Sequence, residues 1–290
     1  MNRYHAVKEI TERLEKGLSE LFESEKYKDY LKAMSKFHNY SFNNTLLIAM
    51  QKPDATLVAG FHTWESQFGR HVKSGEKAIR ILAPAPYKKK IKSEGDTAAD
   101  DAPKFESVIN IMAFKPAYVF DISQTDGPGL PSLGANELQF SVANFNQFMD
   151  ALSCISPVPI EFQTIKSGAK GYFSNTDHKI VIQNGMPEAQ TVKTIIHEIC
   201  HALLHNTDNF DSNDIEKKTR SSKEVEAESV AYTVCQHFNI DTSDYSFGYI
   251  AGWSSGKELN ELKTSMILIR KTASKIINDI ESSLTLKKGA

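Results

Sequence analysis

The chain has 290 residues, 40% of them hydrophobic and 24% charged, with a formal net charge of −2, the balance of an ordinary soluble globular protein with room for about two domains. Its apolar runs are far shorter than the ~20 residues of a membrane span, and the opening MNRYHAVKEITERLEKG reads as charged helix, not as a signal peptide. Three well-separated cysteines, Cys154, Cys200 and Cys235, argue against a disulfide framework or a Cys-rich zinc cluster and for reduced thiols in the cytoplasm.

In chain order, residues 4–35 carry Ile10, Leu14, Leu18, Leu21 and Phe22 at helical spacing and predict one or two amphipathic helices. A second helix over 43–51 must end at Pro53. Short β-like runs follow at 56–59, 78–82, 108–114 and 117–121, and between the second and third the Lys-rich, then acidic stretch 87–106 reads as a hairpin insertion. From Tyr40 to Lys92 nine Lys/Arg stand against three acids, a local basic excess that the net charge hides. The aperiodic DGPGLPSLGANEL around 127–138 reads as an interdomain linker. Beyond it come a helix at 142–152, a strand at 159–163, a hairpin over 171–182 around Ser-Asn-Thr-Asp, and helices at 190–205, 222–238 and 257–284. The expected fold class is therefore α+β with two domains: a mixed α/β domain over 1–126, and a mainly helical domain with a small antiparallel sheet over 139–290.

The segment His197-Glu-Ile-Cys-His201 carries the strongest chemical signal. Residues four apart share a helix face, so His197 and His201 can direct imidazole nitrogens at one ion. Glu198 stays beside the ion without entering its coordination, the place of a general base toward an activated water. Ile195, Ile196, Ile199, Ala202, Leu203 and Leu204 make this a core helix, where two unpartnered histidines and a glutamate would be costly. Tetrahedral catalytic zinc needs a third protein ligand, and Ser221-Ser-Lys-Glu-Val-Glu-Ala-Glu228 offers three carboxylates. Glu224 is the expected ligand, with Glu226 and Glu228 as alternatives, although Ser221-x-x-Glu224 also reads as a capping box. Glu228, on the same face as Glu224, would accept a hydrogen bond from a ligating histidine, while Glu226, about 200° away, should point elsewhere. His205 continues the histidine face one turn beyond the ion and receives no role.

The helix Thr194-Ile-Ile-His-Glu-Ile-Cys-His-Ala-Leu-Leu-His205, the hairpin Gly171-Tyr-Phe with Lys179-Ile-Val-Ile182, and Glu224-Val-Glu-Ala-Glu-Ser-Val-Ala231 together resemble the gluzincin-like peptidase domain of IrrE and ImmA proteins and of the ArdC antirestriction family. In such peptidases an edge strand beside the zinc helix receives extended substrate, which Gly171–Phe173 or Ile180–Ile182 would supply here. The first half is similar to the N-terminal single-strand-DNA-binding domain of ArdC-type proteins of conjugative plasmids and related mobile elements. It carries, in order, Tyr40-Ser-Phe-Asn-Asn-Thr-Leu-Leu-Ile48, Gly60-Phe-x-Thr-Trp64, Phe68-Gly-Arg70, Val72-Lys-Ser-Gly-Glu-Lys-Ala-Ile79 and Val119-Phe-Asp-Ile-Ser-Gln-Thr125.

Single-strand binding needs cations along a groove and aromatic faces for base stacking. Arg70 and Lys73 are the preferred phosphate contacts, with Lys77 beside them. Phe61 and Trp64 are the named stacking candidates, although core packing is the stronger reading of each. Asn44, with Ser41, Asn43 and Gln51, would bond phosphates or base edges. The resemblance implies an antirestriction-type protein that binds single-stranded DNA and one Zn2+ and hydrolyses an unknown protein substrate. Two other readings stay open: a DNA-coating protein whose zinc site is structural or vestigial, and a peptidase that cleaves one regulatory protein.

Overall fold

The computed structural model describes residues 3–92, 106–129, 142–206, 218–240, 247 and 250–288. The expected N-terminal helical stretch divides in two: α1 (Arg3–Glu20) and α2 (Ser24–Lys36), with Leu21 and Phe22 buried at the break. Ile10, Leu14 and Leu18 form the buried stripe of α1, and Tyr27, Tyr30, Leu31 and Met34 that of α2. Helix α3 (Phe42–Gln51) starts where the Ser41 side chain accepts the Asn44 amide and ends one residue before Lys52-Pro53.

Strand β1 (Val58–Gly60) leads into α4 (Phe61–Phe68), a helix absent from the expected elements. Its signal was Phe61, Trp64 and Phe68 at helical spacing, closed by Gly69, which ends the helix in the left-handed region at φ 61°. Then come β2 (His71–Val72), β3 (Ile79–Pro84), β4 (Tyr87–Lys92), β5 (Glu106–Ile111), β6 (Phe114–Asp121), a 3-10 turn at Ile122–Gln124 and β7 (Thr125–Asp126). Strand β6 is central, flanked antiparallel by β1 and β3, while β4 and β5 form the expected hairpin, of which residues 93–105 lie outside the described residues.

The outer edge of β3 is closed by side chains instead of another strand. Asn44 donates to the Leu82 carbonyl and accepts the Leu82 amide, both at 2.9 Å. Two helical turns later, Gln51 does the same to Arg80, at 2.9 and 3.0 Å. Two amides seven residues apart on α3 thus meet alternate residues of β3 and satisfy backbone groups that an edge strand would leave open.

The second half comprises α5 (Val142–Ile155), β8 (Ile160–Gln163), β9 (Gly171–Ser174), β10 (Lys179–Gln183), α6 (Glu188–Leu204), α7 (Arg220–His237), α8 (Ile250–Ser254) and α9 (Leu259–Lys288). Strand β10 is central: β9 pairs with it antiparallel, as the hairpin signature requires, but β8 pairs with it in parallel. Of the expected linker, residues 130–138 lie outside the described residues.

Helix α7 is buried on nearly its whole circumference, and its small residues Ala227, Ser229 and Ala231 let neighbours approach. It packs on α6, α9 and α2. The Tyr27 hydroxyl of α2 meets the Ser229 hydroxyl of α7 at 2.8 Å, both buried. One hydrophobic cluster therefore runs from α1–α3 through α7 into α6 and α9, and the first helices contribute to the core that holds the second half's site. All three cysteines are free. Among the described residues no helix is long and apolar enough to cross a membrane.

Asp121, 1% exposed, ties the N-terminal sheet to its turns: its carboxylate accepts the amides of Thr56 at 2.7 Å, Leu57 at 3.1 Å and Ser123 at 2.9 Å. Gln124 completes a capping box by accepting the Asp121 amide and donates to the Lys77 carbonyl and the Glu76 carboxylate. Burial pushes the Asp121 carboxyl up, but the bonds from Ser123, Thr56 and Leu57 outweigh it and hold it below the ordinary carboxylate value. Its contribution to stability is therefore complete above the unfolded value near ~3.9 and is lost as pH falls through the lower folded value. Asp121→Asn is expected to cost about 1–3 kcal/mol in urea unfolding at pH 7. The gap to wild type should narrow below about pH 4; a gap of constant size down to pH 2.5 would contradict this account.

Candidate metal centre and the N-terminal surface

Helix α6 carries His197 and His201 one turn apart, and their Nε2 atoms converge to 3.0 Å. Across from them, Glu224, just past the first turn of α7, brings Oε2 to 3.5 Å from His197 Nε2 and 3.6 Å from His201 Nε2. Donors held ~2.0–2.1 Å from a tetrahedral ion lie roughly 3.3–3.4 Å from one another. The observed triangle fits that requirement, and these three residues are the set of metal-compatible donors found among the described residues. Glu224 is free to turn this way because the capping box read at Ser221 does not form. Thr219 is the N-cap instead, its hydroxyl accepting the Ser222 amide at 3.2 Å.

The imidazoles are largely buried and the Glu224 side chain is 48% exposed, so the site faces solvent on the carboxylate side. The imidazoles of His197 and His201 beside it hold the Glu224 carboxyl far below the usual range. Burial lowers the His197 imidazole, but Glu224, Glu198 and Glu228 outweigh it and the net shift is upward. Glu198 is buried, and burial is the main cause of its raised pKa. The charges of His197 and His201 and the Phe173 backbone amide oppose the shift without cancelling it. Glu198 therefore sits between the imidazoles and edge strand β9, in a cavity of about 320 Å³ lined also by Gly171, Gln190, Lys193, Thr194 and Glu228. Gly171 is what permits this closeness: a Cβ there would lie 2.6 Å from Thr194 Cγ2 and 3.0 Å from Ile182 Cδ1.

Residues 2–120 match the family model described as the N-terminal domain of anti-restriction factor ArdC, and residues 158–244 match the IrrE N-terminal-like domain, a peptidase family. The chain thus carries a region similar to the ArdC N-terminal domain followed by one similar to the IrrE peptidase-type domain. An uncharacterized protein of Bacillus anthracis is 29% identical over 318 aligned positions that cover 96% of this chain and 52% of the relative, so the chain spans about half of that protein's length. In fold, the chain is similar to the metal-free crystal structure of the antirestriction protein ArdC from plasmid R388, with a TM-score of 0.50, 19% identity and 84% of each chain covered. The Mn(II)-bound structure of the R388 protein aligns with a TM-score of 0.48 at 19% identity, over 83% of this chain and 84% of that one.

In the ArdC-type N-terminal domain the structure redistributes the expected DNA contacts. Trp64 is fully buried, packs on Phe68 at 5.0 Å and donates its indole N–H to the Phe120 carbonyl, so no base can stack on it. The Asn44 amide is committed to β3, and so is that of Gln51. Arg70 donates from Nε to the Thr125 hydroxyl, from Nη2 to the Thr125 carbonyl, and from Nη1 to the carbonyls of Gly127 and Pro128. Four of its five N–H groups hold the 125–128 segment, which leaves little for a phosphate. Lys73 likewise donates to the Ser123 carbonyl and lies 3.7 Å from Asp126.

Phe61 and Lys77 remain exposed. Phe61 is 50% exposed and packs its edge on Phe120, and on β6 the 54%-exposed Tyr118 lies on the same face as Phe120. Tyr118 and Lys77 share an open cleft of about 1120 Å³ with Arg13, Lys52 and Arg80. Three of these cations have carboxylate partners, Arg13 and Arg80 with Glu9 and Lys52 with Asp54. Tyr118 was missed because its strand was read without its exposure; the alternation of Phe114, Pro116, Tyr118 and Phe120 against Ala117, Val119 and Asp121 was the available signal.

His205, to which the sequence assigned no role, and Glu226, expected there only as an alternative ligand, also join the site. His201 Nδ1 meets His205 Nδ1 at 2.9 Å, and His205 Nε2 meets Glu226 Oε2 at 3.1 Å. Glu226 does point away from the three donors, as its helical position requires, and it points at His205. The donor triangle predicts that zinc stabilises the protein and that His197→Ala abolishes the effect. At 100 times Kd the gain is ~2.7 kcal/mol, a rise of roughly 5–10 °C in Tm for a domain of this size. An unchanged melting curve on adding zinc to chelator-stripped wild type would exclude binding at this triangle.

Proposed function

We propose that this chain is an antirestriction-type protein that binds single-stranded DNA through its N-terminal domain and hydrolyses a protein substrate at a zinc site in its C-terminal domain. The carrying observation is the convergence of His197, His201 and Glu224 with the buried carboxylate of Glu198 beside them. Two imidazoles and one carboxylate, with an open side toward solvent, suit zinc in its catalytic arrangement. When bound, the ion supplies Lewis acidity toward water and a peptide carbonyl. Glu198 is the base: its raised pKa brings the carboxylate closer to neutral pH, where accepting a proton and returning it to the leaving amine are both favourable. Strand β9, at the sheet edge and linked to Glu198 through the Phe173 amide, orients an extended substrate by main-chain pairing. Tyr172, 41% exposed on that strand, is placed to contact the same peptide.

For DNA, the exposed aromatic side chains Phe61 and Tyr118 and the exposed Lys77 support binding on the β6 side of the domain. Stacking on each ring is worth about 1–3 kcal/mol per base and needs no sequence preference. Three free cysteines suit the cytoplasm, where incoming DNA of a mobile element would need protection.

Two measurements test the two halves separately. Glu198→Gln is expected to keep zinc and lose chelator-sensitive cleavage by at least ~100-fold; full turnover by this variant would remove the hydrolytic reading. Phe61→Ala with Tyr118→Ala is expected to weaken an oligonucleotide complex by roughly 30-fold or more in fluorescence anisotropy, with affinity falling as salt rises. Arg70→Ala should instead lower stability. An oligonucleotide bound equally well by the double variant would place DNA elsewhere.

A further inference from the structure

We infer that His205 and Glu226 form a positioning relay that fixes the protonation of the metal-ligating His201; the inference rests on the zinc reading above. Both Nε2 atoms of His197 and His201 face the donor triangle, so a bound ion needs a bare lone pair on each. The proton of neutral His201 must then sit on Nδ1, the atom 2.9 Å from His205 Nδ1. That contact makes His205 Nδ1 the acceptor, so the His205 proton is on Nε2, which lies 3.1 Å from Glu226 Oε2 and donates to it. Each assignment forces the next, and the chain ends on a carboxylate.

The far end is built to keep that carboxylate charged. Glu226 is 0% exposed, and Lys218 Nζ reaches both of its oxygens, at 2.7 and 2.8 Å, while the Ser265 hydroxyl of α9 donates to Oε1 at 3.1 Å. Every donor around Glu226 comes from a different element: His205 from the end of α6, Lys218 from the segment before α7, Ser265 from α9. His205 cannot itself ligate this ion, because it meets His201 on the ring nitrogen opposite the metal-facing one.

Partners behind a ligating histidine commonly set metal affinity by 10–100-fold. The test uses the full chain, stripped of metal and titrated with Zn2+ against a chromophoric chelator. His205→Leu removes the acceptor and is expected to raise the zinc Kd by roughly 10–100-fold. His205→Asn, which keeps an oxygen near the Nδ1 position, should recover most of that loss, a rescue that a packing role alone would not produce. Long-range 1H–15N spectra of zinc-loaded wild type should show His201 protonated at Nδ1 and His205 at Nε2, a reading that needs no variant to fold. Zinc affinity in His205→Leu within about threefold of wild type, or His205 protonated at Nδ1, overturns the relay. Wild type whose zinc binding is unaffected by His197→Ala instead overturns the metal reading, and the relay with it.

Discussion

A carboxylate with no solvent contact lies at the centre of the second domain, and much of that domain is arranged around keeping it ionised. Burial pushes the Glu226 carboxyl up, yet the bonds from His205 and Lys218 outweigh burial and its pKa is lowered. Leaving such a charge without partners would cost several kcal/mol. Three elements converge to supply those partners, and the same convergence brings the first turn of α7 against α6. Glu224 and Glu226 lie two residues apart and point in different directions. One completes the donor triangle, and the other anchors the histidine behind it.

Helix α7 can do both because it is enclosed. Its small residues allow α6, α9 and α2 to approach, and the Tyr27–Ser229 contact makes a helix from the first half part of that enclosure. The ArdC-type and IrrE-like regions are thus successive along the chain but joined in packing. Helix α2 packs directly on the helix that carries Glu224.

In the N-terminal domain, polar side chains that look available in the sequence are used for architecture. A three-stranded sheet with an open edge exposes backbone donors and acceptors, and Asn44 and Gln51 satisfy them from α3. Asp121, Gln124 and Arg70 secure the turns that follow β6 in the same manner. Among the described residues, Phe61, Tyr118 and Lys77 remain exposed beside this architecture.

The sequence by itself determined whatever follows from local periodicity. Two histidines four apart on an apolar helix share a face, and Glu198 follows the first of them, whatever surrounds the helix. The 171–182 hairpin, the break near Pro53 and the helical stripes of α1, α6 and α9 are local in the same sense. Even α4 was legible in the spacing of Phe61, Trp64 and Phe68. Only the tertiary structure decided between polar residues of equal local promise. Glu224 faces His197 and His201 while Glu226 faces His205, because that choice depends on how α7 is rotated against α6. Trp64 is core and Tyr118 is surface because burial is set by strands and helices distant in sequence. A hydrogen bond or a stacking face needs a partner in space, and a chain read residue by residue does not contain the distances between its own elements.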